Sequence, residues 1–198
     1  MLVLGLTGSA AMGKSTVAKM FAEEGVAVFD ADATVHALYR AAAVPLVEAA
    51  FPGTSAAGAV DRARLSERVL GDAPAMARLE AIIHPLVVAE EERFRARAAG
   101  AGRRTILLDV PLLFETGGQS RVDVVIVVSA PQALQRERLL ARPGMDEKRM
   151  IAMLARQIPD AEKRQRAHFV IDTRGDLAAT HRAVSDVLRA VAGMAGAM

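Results

Sequence analysis

The sequence predicts an α/β fold with helices on both faces of a five-stranded parallel sheet, a three-layer arrangement. Short apolar runs rich in β-branched residues stand at 2–7, 26–29, 105–109 and 122–129, with a weaker one at 169–172. Each is continuous rather than alternating, which is the pattern of strands buried on both faces. Helical stretches separate them, at 14–24, 31–99, 131–141 and 177–191. Strand and helix in alternation is how parallel strands are joined.

Taken in order, the first strand runs into a glycine-bearing loop and then a helix from Lys14. The second ends at Asp30. About 75 residues follow before the third, where one crossover helix needs roughly 10–15. That excess is helical in pattern, with a break at FPGTSAAGA (51–59). A helix is predicted over 74–99, starting at Pro74 and carrying Met76, Leu79, Ile82 and Ile83 at near-helical spacing. This is a helical insertion, expected to cover the edge where the strands end. The third strand ends at Asp109 and the fourth at Ser129. A polar, arginine-rich stretch at 136–166 contains an Arg-Pro-Gly break at 142–144. AGMAGAM at 192–198 is low in complexity and expected to fray. The division expected is a nucleotide-binding core (1–30, 103–135 and 167–198), a helical acceptor subdomain (31–102) and a lid (136–166).

Composition narrows the function classes. With 52% hydrophobic and 24% charged residues over 198 positions, the chain is globular rather than disordered. It has no cysteine, which excludes disulfides, thiolate-bound zinc and thiol catalysis. The balance of 25 Lys+Arg against 23 Asp+Glu is thin, and no clustered basic face argues for nucleic acid. Only four of the cations are lysines, at 14, 19, 148 and 163. No apolar run reaches the roughly 18 residues of a membrane helix, and the N-terminus lacks the basic start of a signal peptide. A protein without membrane association, in the cytoplasm, is expected.

Gly8-Ser9-Ala10-Ala11-Met12-Gly13-Lys14-Ser15 matches G-x-x-x-x-G-K-S/T between a strand and a helix, the context that motif requires. Gly8 and Gly13 let successive backbone N–H groups converge on a phosphate, and the helix start directs its positive end at the same anion. Lys14 would lie along the β- and γ-phosphates, and Ser15 would offer its hydroxyl to Mg²⁺. Such a loop indicates a nucleotide, not a reaction. A GTPase needs N-K-x-D, which is absent, so the D-x-x-G at 172–175 reads as coincidence. A motor or ATPase usually has a longer chain. The short length and helical cover favour a kinase, whose lid keeps water from the transferring phosphoryl.

The acceptor side centres on Asp30-Ala31-Asp32, at the sheet edge that carries the loop. A carboxylate there could hold Mg²⁺ or take a proton from an acceptor hydroxyl; Asp30 is equally suited to capping the helix from Ala31. Asp109 reads as a carboxylate holding the metal through water. Leu112, Leu113 and Phe114 read either as a hydrophobic wall closed by Glu115 or as core at the strand edge. His84 is either a structural histidine or an acceptor contact. Arg138 and Arg142 precede the Pro143-Gly144 break, a candidate hinge, and are the cations chosen to neutralise charge at the transferring phosphoryl.

Together these residues resemble the dephospho-coenzyme A kinase family over nearly the whole chain. The motifs are GLTGSAAMGKST (5–16), DADATVH (30–36), IIHP (82–85), DVPLLFET (109–116) and VIDTRG (170–175). The resemblance implies a P-loop NTPase-type fold and transfer of phosphate from MgATP to the ribose 3′-hydroxyl of dephospho-coenzyme A, the last step of coenzyme A synthesis. It implies that Ala11, Met12, Gly13, Lys14, Ser15 and Thr16 bind ATP phosphates and that Asp32 is the base. Pro111, Leu112, Leu113, Phe114, Glu115 and His84 would line the acceptor site, Arg142 would belong to the lid, and Asp172, Thr173 and Gly175 would lie near adenine. Ala11 stands where the family's loop commonly has glycine; its Cβ predicts a negative φ there. His168 and Thr173 stand where the family often has Asp and Asn. Two alternatives remain at this level: a related kinase acting on a nucleoside monophosphate or small metabolite, and a non-catalytic nucleotide-binding module.

Overall fold

A computed structural model describes residues 1–195. The described residues divide into two compact units, one formed by residues 1–29 with 98–195 and the other by 30–97.

The first unit is built on the sheet. Its strands are β1 (Leu2–Thr7), β2 (Ala27–Asp30), β5 (Thr105–Asp109), β6 (Val124–Ser129) and β7 (Phe169–Asp172), in the order β2-β5-β1-β6-β7. The pairs β1–β5, β1–β6 and β6–β7 are parallel. Every residue of β1 and β6 is buried, which explains why the sequence shows continuous apolar runs: both faces of each strand are covered. Leu2, Leu4, Leu6, Val124, Ile126 and Val128 face one layer, packed with Val17, Met20 and Phe21 of α1 (Lys14–Glu23) and Val184 and Val187 of α9 (Leu177–Ala195). Val125 and Val127 alternate to the other face and pack with Leu113, Phe114, Ile158 and Ala167. The remaining helices here are α6 (Gln132–Leu140), α7 (Glu147–Leu154) and α8 (Asp160–Gln165). The break at 142–144 separates α6 from α7, with Gly144 at φ 71. The helix predicted over 177–191 continues to Ala195, into the segment expected to fray; 196–198 lie outside the described residues.

The second unit contains α2 (Ala31–Leu38), α3 (Ala43–Ala50), α4 (Arg62–Val69) and most of α5 (Ala73–Gly100). Leu38, Val47, Phe51, Leu65, Val69, Leu79 and Ile83 form its own core. The break expected at 51–59 is a hairpin of two short strands, β3 (Ser55–Ala56) and β4 (Ala59–Val60). Its turn residues Ala57 and Gly58 both have positive φ (50° and 77°), the twist that tight hairpins demand. Strands this short carry too little pattern to be read from sequence. Asp61 and Asp72 cap α4 and α5 by accepting from Ala63 and Ala75 N–H. No helix among the described residues is long and apolar enough to cross a membrane.

Candidate active site

The site is assembled where the middle strand ends. β1 leads into the loop at Thr7, whose hydroxyl donates to the Pro111 carbonyl (3.0 Å). Gly8 then passes so close to β6 that a Cβ would stand 2.6 Å from the Val128 carbonyl oxygen. The chain turns back on itself, Met12 N–H donating to Ser9 O (3.2 Å), and Gly13 at φ 87° delivers it into α1. Thr16 and Val17 N–H both bond Gly13 O. The amides of Lys14 and Ser15 therefore sit at the open end of the helix, where its dipole attracts an anion.

Lys14 folds back so that its ammonium pairs with the Asp109 carboxylate. Asp109 ends β5 and is 3% exposed; strand register places it opposite Leu6, one residue before the end of β1. The end of β5 thus holds the Lys14 cation. Ser15 and Thr16 are exposed on the first turn of α1.

Ala11 departs from expectation. Its φ is +61°, not negative. The loop carries the left-handed conformation at this position, and a Cβ in it costs about 1–2 kcal/mol. The residues on either side are bonded. Ala10 N–H donates to Gln157 Oε1 (3.1 Å), and Gln135 Nε2 donates to Ala10 O (2.9 Å). Thr173 Oγ1 donates to Met12 O (2.8 Å), and the buried Met12 sulfur accepts from Ala130 N–H (3.1 Å). Strain of this kind persists where surroundings over-determine the backbone.

Arg138, chosen from sequence for phosphoryl charge, has its guanidinium on the loop's support: Nη1 donates to Thr173 Oγ1 (3.1 Å) and Nη2 to Thr173 O (2.9 Å). Arg142 is exposed after α6. Thr173, itself 6% exposed, fills the space beside Gly13, where a Cβ would come within 3.3 Å of its side chain. Asp172 is bonded to Arg174 Nε (2.7 Å), and that guanidinium holds the Asp172 carboxyl below its usual range. Gly175 is exposed in the turn before α9.

The segment after β5 lies partly in the core. Leu113 has no exposed surface and Phe114 is 6% exposed; both are core beside Val125 and Val127, with the Arg166 guanidinium over the Phe114 ring (4.3 Å). Their apolar character serves the second face of the sheet. Pro111 is half-buried and gives its carbonyl to Thr7, and Leu112 alone of the apolar trio is exposed. Glu115 is half-buried and paired. Its Oε1 lies 2.8 Å from the Nζ of fully buried Lys163 and accepts from Ile158 N–H (2.9 Å). Burial raises the Glu115 pKa, but Lys163 and the Ile158 amide outweigh it and hold the carboxyl below its usual value.

In the helical unit, Asp30 caps α2 by accepting from Ala33 N–H (2.9 Å). Asp32, exposed on the first turn, stands on the wall of a cavity of about 510 Å³. Val35, His36 and Tyr39 share that wall, and Arg62, Leu65, Val69 and Leu79 supply others. Burial raises the Tyr39 pKa, opposed by the Arg62 charge. Tyr39 and Arg62 were not among the residues singled out from sequence. Their signal was partly present, since 32, 35, 36 and 39 repeat at helical spacing on one face of α2; nothing comparable marked Arg62. His84 is exposed on α5 and does not line this cavity.

A family model described as dephospho-CoA kinase matches residues 2–179. A dephospho-CoA kinase of Mesorhizobium japonicum is 58% identical over 196 residues, spanning 99% of this chain and 100% of that one. Among solved structures, TT1252 from Thermus thermophilus is similar at TM-score 0.83 and 32% identity over 95% of this chain and 96% of that one. A dephospho-CoA kinase from Campylobacter jejuni shares the fold at TM-score 0.65 and 24% identity, covering 96% of each chain.

Proposed function

The chain belongs to the dephospho-CoA kinase family, and on that premise we propose how its residues divide the transfer. The protein is a kinase that phosphorylates dephospho-CoA at the expense of ATP, a reaction of coenzyme A synthesis. The proposed acceptor atom is the ribose 3′-hydroxyl.

The observation that carries this reading is the loop from Gly8 to Ser15, with its helix-terminal amides and Lys14 held by Asp109. Those amides and the ammonium bind the β- and γ-phosphates and draw off charge as the bond from the γ-phosphorus to the β–γ bridging oxygen breaks. Asp32 orients the acceptor hydroxyl and takes its proton at a carboxylate oxygen as the new P–O bond forms in line; solvent then removes that proton. The helical unit, residues 30–97, is the proposed acceptor unit: the cavity beside Asp32 offers the Arg62 cation to an anionic group and Leu65, Val69 and Leu79 to an aliphatic arm. Arg142 and the segment 136–166 serve as lid, and Asp172, Thr173 and Gly175 support the adenine side.

No group of three or more His, Asp or Glu able to hold a metal occurs among the described residues. Mg²⁺ in nucleotide sites keeps several of its waters and binds through one or two protein oxygens plus substrate phosphates. The Ser15 hydroxyl and the Asp109 carboxylate are the oxygen donors that would serve, and bound Mg²⁺ would neutralise charge on the β- and γ-phosphates.

The test is ADP release with MgATP and a panel of acceptors: dephospho-CoA, nucleoside monophosphates, shikimate and none. Release dependent on dephospho-CoA alone is the expected outcome. Release with another acceptor instead would overturn the substrate.

A further inference from the structure

Ala10 is gripped at both of its peptide groups by side chains from a distant part of the chain. Gln157 Oε1 accepts its N–H (3.1 Å), and Gln135 Nε2 donates to its carbonyl (2.9 Å). The two amides act in opposite senses, so together they fix the orientation of the peptides on either side of Ala10. The next residue is Ala11, whose left-handed φ of +61° opposes the preference of any residue bearing a Cβ. Gln135 is 6% exposed, which leaves its amide little freedom to turn elsewhere. Gln157 lies between α7 and α8, in a segment of irregular backbone, yet it is not adrift. Its neighbour Ile158 donates its N–H to Glu115 Oε1 (2.9 Å), and Glu115 is paired with Lys163, which has no exposed surface.

We propose that Gln157, anchored through Ile158 by the Glu115–Lys163 pair and working with Gln135, is a positioning residue that holds the phosphate loop in its nucleotide-binding shape despite Ala11. A chain with glycine at position 11 would adopt that φ at no steric cost; this one substitutes a hydrogen-bonded clamp. The clamp acts on the loop and touches no reacting atom. Its removal lets Ala11 relax toward negative φ and scatters the amides that follow. MgATP binding weakens as a result, while the acceptor side is untouched.

The inference rests on the loop binding ATP, so calorimetric titration of the parent protein with MgATP, done first, tests that reading separately. Gln157→Leu keeps the bulk and removes the acceptor. The expected result is a tenfold or greater rise in KM for MgATP, with KM for dephospho-CoA within twofold of the parent. Adding Ala11→Gly should return the MgATP KM to within about threefold of the parent, because glycine needs no clamp at that φ. General loss of packing would not be repaired by that change, which makes the rescue the discriminating readout. Where Gln157→Leu gives no folded protein, Gln135→Met removes the other half of the clamp and carries the same two expectations. A MgATP KM within twofold of the parent in the folded single variant, or no rescue by Ala11→Gly, overturns the proposal.

Discussion

Lys163 is a buried ammonium whose ion-pair partner is Glu115, and replacing it by methionine isolates what that pair does. At 2.8 Å and an effective dielectric of about 20, the gross attraction is roughly 6 kcal/mol. Taking a fully buried ammonium out of water returns several kcal/mol of that, so the pair's net contribution is small. The one-sided change is different. Lys163→Met leaves a carboxylate, 13% exposed, with backbone amides, that of Ile158 and its own, but no cation to satisfy it; breaking a buried pair in this way costs about 3–5 kcal/mol. For a chain of this length that is a fall in Tm of roughly 10 °C. Adding Glu115→Gln removes the stranded charge, keeps an acceptor for Ile158, and should recover most of the loss. Because Glu115 titrates lower in the folded state than in the unfolded one, the pair's contribution is complete above the unfolded pKa of about 4 and disappears as pH falls through the folded value. The gap between parent and Lys163→Met should therefore be wide at pH 8 and narrow in acid. Thermal melts of parent, single and double variants at several pH values measure it. A single variant within about 1 kcal/mol of the parent at pH 8, or a double no more stable than the single, would refute the reasoning.

Three further outcomes follow from the same geometry. Lys14→Ala removes the ammonium paired with Asp109 and should lower turnover at least about 100-fold, measured as dephospho-CoA-dependent ADP release; a rate near the parent's would remove Lys14 from the chemistry. Asp32→Asn should retain MgATP affinity by calorimetry while turnover falls by about 10²–10⁴, and equal loss of both would sink the assignment of Asp32 as base. Gly8→Ala places a Cβ 2.6 Å from the Val128 carbonyl oxygen, so the loop or β6 must shift at a cost of about 1–3 kcal/mol; an unchanged Tm would show that the loop has room to spare.

The five sheet strands, the loop and its helix are legible before folding, because each is written in contiguous residues. Runs such as VVIVVS at 124–129 signal burial on both faces directly, and Gly8, Gly13, Lys14 and Ser15 lie within eight positions. The dual reading of Asp30 was also local, since an N-cap and its amide stand three residues apart. Relations across long separations emerge only in the folded chain. Glu115 lies 43 positions from Ile158 and Gln157 lies 147 from Ala10, so no spacing rule connects them. Glu115 therefore read as the end of an acceptor wall with no sign of its partner Lys163, and Leu113 and Phe114 as either wall or core, and the structure sets those two on the second face of the sheet. Ala11 gives the same lesson. Its Cβ argued for a negative φ, the correct local preference, and glutamines more than 120 residues away support the other conformation. Local pattern records which groups must be buried or turned; which distant partner satisfies each one is decided only when the chain closes on itself.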